Sequence, residues 1–78
     1  MCEICDFIAR NIGLDKMRED QVFLAFDQLV SKGKLADLGE ADPESPVYAV
    51  SYRCLACHAV WKFIVPDHAF KGGISRTA

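Results

Sequence analysis

Two Cys-x-x-Cys pairs, Cys2/Cys5 and Cys54/Cys57, constrain this chain more than any other feature. Two thiols separated by two residues leave one tight turn aimed at a common centre. Two such turns together supply the four soft ligands of a closed tetrahedral zinc site. The sequence holds 4 cysteines in all, so the pairs leave none over. Because 48 residues lie between Cys5 and Cys54, a shared ion would tie the N-terminus to a distant segment. Metal binding would then be folding free energy. A chain of 78 residues is near the size at which an apolar core alone gives marginal stability, so such a link answers a physical need.

Other uses of the thiols fit the sequence less well than zinc. Disulfides suit secreted domains, and nothing in the first residues has the basic start of a signal peptide; Glu3 and Asp6 are acidic. A redox dithiol wants a βαβ context, which the pattern lacks. Unligated buried thiols remain open, since cysteine is a good small core residue. Four thiolates also suit iron, but the doubled Cys-Pro-x-Cys-Gly pattern of rubredoxin-like sites is absent. The expected set is therefore one zinc ion on Cys2, Cys5, Cys54 and Cys57, in a cytoplasmic protein with no membrane segment. Cys2 lies beside the terminus, where ligands fray. Should it fail, His58 or His68 would complete a Cys3His set, although an exposed turn histidine is the simpler reading of each.

The rest of the chain reads as α+β, in one domain over residues 1–78. Phe7, Ile8 and Ile12 fall near helical spacing and Gly13 follows, which predicts a short helix from Cys5 to Ile12. A longer helix is predicted from Asp15, a candidate N-cap, to Gly33, a good residue just past a helix end. Its stripe is Val22, Phe26, Leu29 and Val30, widened by Phe23 and Leu24. Gly39 to Pro46 has loop chemistry. Val47 to Arg53 and Ala59 to Val65 read as two antiparallel strands, with the second cysteine pair at their turn. Ala59, Trp61, Phe63 and Val65 point one way and Val60, Lys62 and Ile64 the other. Ile74, after Gly72-Gly73, opens a third short strand. Trp61, Phe63 and Tyr48 are expected to pack the helix on the hairpin, and Phe7, Phe23 and Phe26 to be core.

Tyr52-Arg53-Cys54-Leu55-Ala56-Cys57-His58-Ala59-Val60-Trp61-Lys62-Phe63 resembles half of a zinc ribbon, a strand–knuckle–strand unit with an aromatic residue beyond it. The resemblance implies a structural metal. It departs at His58, where such knuckles commonly carry glycine. Residues 20–65, through Leu29-Val30-Ser31-Lys32-Gly33-Lys34-Leu35, are also similar to winged-helix regulators, in which a recognition helix ending in glycine leads into a two-stranded wing. There the helix face toward DNA is basic, whereas this one carries Phe23 and Asp27.

Four cysteines leave no open coordination position, and no His-Glu-x-x-His, Gly-x-Ser-x-Gly or phosphate-cradling loop is present, so no enzyme is expected. Charge is divided along the chain. Residues 1–50 carry ten acids and five bases, whereas residues 51–78 carry Arg53, Lys62, Lys71 and Arg76 against Asp67. The leading expectation is an interaction or accessory module that binds another protein, of the size of a bacterial regulator or immunity-type partner, as a monomer or homodimer. The alternative is a nucleic-acid-binding regulator of winged-helix or zinc-ribbon type, using Arg53, Lys62, Lys71 and Arg76. A pI near 5.5 weighs against it.

Overall fold

A computed structural model describes residues 2–41, 44, 47–66 and 71–76. His68 and four residues of the 39–46 loop lie outside these. The chain runs α1 (Glu3–Asn11), α2 (Glu19–Ser31), β1 (Leu35–Glu40), β2 (Ala49–Cys54), β3 (Val60–Ile64) and β4 (Gly73–Arg76). The strands form one antiparallel sheet in the order β1-β2-β3-β4. The architecture is α+β, as expected, with four strands where the sequence suggested two or three.

Both helices pack on one sheet face, and periodicity explains which residues do so. On α1 the buried positions are Cys5 and Ile8, at helical i, i+3 spacing, and Ile12 is buried at its C-cap. Phe7 lies one position round from Ile8 and is 48% exposed, so it is not the core residue expected. On α2 Val22, Phe26 and Leu29 are buried, while Phe23 and Val30 pack at the margin. The sheet meets them with Val50, Tyr52 and Cys54 from β2 and with Trp61 and Phe63 from β3, the alternate residues of each strand. The Phe26 and Tyr52 rings stack at 4.4 Å between centroids with planes 5° apart, and Phe23 meets Phe63 edge-on at 4.9 Å. Burial, then the nearby Asp37 and Asp27 carboxylates, push the Tyr52 phenol up to about 12. Tyr52 thus takes the place expected for Tyr48, which lies just outside β2 and is 52% exposed.

The turns show why α2 is shorter than its sequence limits. Gly13 accepts amide hydrogen bonds from Lys16 and Met17 in a separate turn, so Asp15 is not the N-cap. That role falls to Arg18, whose amide donates to the Gln21 side chain at 2.8 Å. At the other end Gly33, at φ 75°, terminates the helix as expected. Its amide donates to Val30 and that of Lys34 to Leu29, the paired bonds of a Schellman motif. The chain then turns straight into β1. Leu35 is the buried residue of that strand, and a register shift between Asp37 and Gly39 interrupts its pairing with β2. β4 follows Gly72, where a Cβ would stand 2.5 Å from the Ile64 carbonyl oxygen.

Candidate metal centre

The fold brings the two cysteine pairs together from opposite ends of the chain. Cys2 is the N-cap of α1 and Cys5 is its third residue, one turn on. Cys54 ends β2, and Cys57 lies in the turn that leads to β3. That turn is tied at its base. The Cys54 amide donates to Ala59, the His58 amide donates to Cys54, and the Leu55 amide donates to Lys34 ahead of β1. The strand–Cys-x-x-Cys–strand geometry read from the sequence is therefore present.

All four sulfurs lie within 4.8 Å of one another, and all four are free thiols. The shortest separations run between the pairs, with Cys2 Sγ 3.5 Å from Cys54 Sγ and Cys5 Sγ 3.3 Å from Cys57 Sγ. Four thiolates about 2.3 Å from a tetrahedral ion would stand about 3.8 Å apart, so the cluster has the dimensions of a metal cage. Cys5 and Cys54 are buried, Cys2 is half-buried and Cys57 is exposed. Among the described residues these cysteines form the one group of three or more side chains placed to hold a metal ion. His58 is not in it. The histidine is exposed, at φ 66°, in the left-handed conformation that glycine commonly supplies in such knuckles. His68 lies outside the described residues.

The sulfurs differ electrostatically. At the positive end of α1 the Cys5 amide is the largest influence on the Cys2 thiol and lowers it to about 6, against the opposing effect of burial. Burial pushes Cys5 up to about 12, partly offset by the Trp61 indole. Burial also raises Cys54, while the Cys57 and Ala56 amides of the knuckle pull it down. Without a cation, the buried sulfurs keep their protons. A soft dication would reverse that preference, since thiolates are its ligands. Trp61, Lys34 and Arg76 line the concavity beside the cluster, together with Glu3 and Asp6. The two cations and two carboxylates there cancel, so the lining adds no net charge beside the sulfurs.

The cations expected to touch nucleic acid do not share one surface. Arg53 and Lys62 belong to the sheet face away from the helices. Arg76 is paired with Trp61 across the β3–β4 ladder and so lies on the helix-covered side. Lys71 precedes β4. Among the described residues no helix is long and apolar enough to cross a membrane. Comparison with known proteins finds no matching family model, no matching curated protein and no matching solved structure.

Proposed function

We propose that the chain binds one zinc ion through Cys2, Cys5, Cys54 and Cys57 as a closed structural site. It would hold the domain together as a protein–protein interaction or accessory module. The observation that carries the zinc reading is the approach of four free sulfurs to within 4.8 Å from two ends of the chain. Four protein ligands complete a tetrahedron and leave no place for an activated water, so the ion is structural rather than catalytic. The interaction role draws support from large apolar side chains left at the surface, Leu24 at 58% and Phe7 at 48% exposed on the helices, with Leu38, Tyr48 and Leu55 elsewhere.

A chelator titration followed by Trp61 fluorescence tests the zinc reading, since this is the sole tryptophan and lies beside the cluster. Stripping the metal should change the emission and melt the domain together. An unchanged emission, with two disulfides found by mass, would contradict it. For the nucleic-acid alternative the test is salt dependence, because phosphate contacts release counterions. Alanine at both Arg53 and Lys62 would then weaken binding and flatten the salt slope. A nucleic-acid affinity left unchanged by both substitutions would remove that alternative.

A further inference from the structure

We propose that Trp61 is the positioning residue of the metal centre, its indole N–H holding the Cys5 sulfur toward the ion. This inference rests on the zinc reading and adds to it a residue outside the ligand set. Trp61 Nε1 donates to Cys5 Sγ at 3.3 Å, and both residues are 7% exposed. An indole N–H is a donor only, so it must find an acceptor when buried. Among the described residues no buried side-chain nitrogen or oxygen is left without a partner, and for this indole the sulfur is that partner.

The geometry also assigns which group orients the other. Trp61 is fixed in the middle of the sheet, paired with Tyr52 on one side and Arg76 on the other. Cys5 rides on α1, a helix of 9 residues. The side chain held by two strand ladders therefore aims the sulfur carried by the single short helix. A ligating thiolate keeps lone pairs that do not face the metal, and a donor on one of them sets the sulfur's direction and draws off charge. Outer donors of this kind commonly govern metal affinity by 10–100-fold. The link also joins β3 directly to α1, adding a polar tie to the apolar packing of Ile8 and Ile12.

The test compares the full chain with Trp61→Phe and Phe63→Leu, each loaded with cobalt(II) in place of zinc. Phe63 lies on the same strand face and is fully buried, but has no hydrogen bond to a sulfur, so it reports loss of packing alone. Trp61→Phe should bind one ion, shift the sulfur-to-cobalt charge-transfer band to longer wavelength and weaken zinc affinity about tenfold or more. Phe63→Leu should lower thermal stability and leave the band in place. A Trp61→Phe band that does not move, or moves no further than that of Phe63→Leu, overturns the proposal. If Trp61→Phe does not fold, the wild-type chain loaded with spin-one-half cadmium decides the matter. A split, slowly exchanging indole proton supports the bond, and an unsplit, freely exchanging one overturns it. A wild-type chain that takes up no metal removes the zinc reading and this inference with it. Metal uptake with an unmoved band removes this inference alone.

Discussion

The two halves of the sulfur cluster are built in different ways. Cys54 and Cys57 stand on a hairpin whose strands are paired on both flanks, and backbone hydrogen bonds close the turn between them. Cys2 and Cys5 stand on the first turn of a short helix that joins the core through Cys5, Ile8 and Ile12. The hairpin half is held by strand pairing on both flanks in addition to any ion. The helical half has no side-chain cap at its N-terminus and would depend on the ion, because a helix of this length is marginal alone. The N-terminus would therefore depend on zinc more than the knuckle does, since α1 has no strand pairing to hold it.

Replacement of single ligands should expose this inequality most strongly. Cys54 is fully buried and ends the central strand, so Cys54→Ser should abolish metal uptake and leave no cooperative thermal transition. Structural zinc in small domains contributes on the order of 10 kcal/mol, enough to decide whether this one folds. Cys2→Ser should be milder, with weaker zinc binding and loss of amide protection in α1 before β2 and β3. Equal loss of protection in both regions, read by hydrogen exchange, would break the distinction.

Packing away from the ion sets the next level. Phe26 is fully buried against Tyr52 and Phe63, and Phe26→Ala should cost about 3–5 kcal/mol in denaturant titration of the zinc-bound protein. A loss below about 1 kcal/mol would mean that the ion, rather than the aromatic core, seats α2 as well.

Proton release distinguishes the sulfurs from one another. Burial lifts Cys5 to about 12 and raises Cys54, so both hold protons at neutral pH in the metal-free fold. Cys2, lowered to about 6, is already largely ionised there. Zinc must displace the protons of the first two, so binding should release them and weaken as pH falls. The metal-free fold behaves oppositely at Cys5. Its raised value favours the folded state below the ordinary thiol range, an advantage lost as pH rises toward 12. Calorimetry in buffers of different ionisation heat measures the release, and binding without proton release would contradict the assignment.

The smallest effect is expected at the knuckle turn. His58 occupies a left-handed conformation that costs a non-glycine residue about 1 kcal/mol, so His58→Gly should raise stability by no more than that and leave metal binding intact. Loss of zinc in this variant would instead make the imidazole a ligand.

Much of this arrangement was legible in the residues. The Val22, Phe26, Leu29 stripe, the glycine stop at Gly33, and the alternation of Ala59, Trp61 and Phe63 each follow a local period or a single backbone rule. β1 was not legible, because Leu-Ala-Asp-Leu-Gly-Glu buries one residue and carries glycine and acids. Its ladder with β2 and its contact with α2 form it, and neither is a local property. The start of α2 is hidden for a related reason, since Gly13 draws the next four residues into their own turn. In the cluster itself the four ligand candidates were plain from spacing. The Trp61 indole beside Cys5 was not, being 56 positions away in the chain. Only folding brings those two residues together.

The central claim is that one ion joins both halves through sulfur alone. Zinc K-edge X-ray absorption on the loaded full chain tests this most directly. The account predicts one zinc per chain with four sulfur neighbours at about 2.3 Å and no nitrogen or oxygen in the first shell. Three sulfurs with a nitrogen near 2.0 Å would put a histidine in place of one cysteine and contradict the closed four-cysteine site.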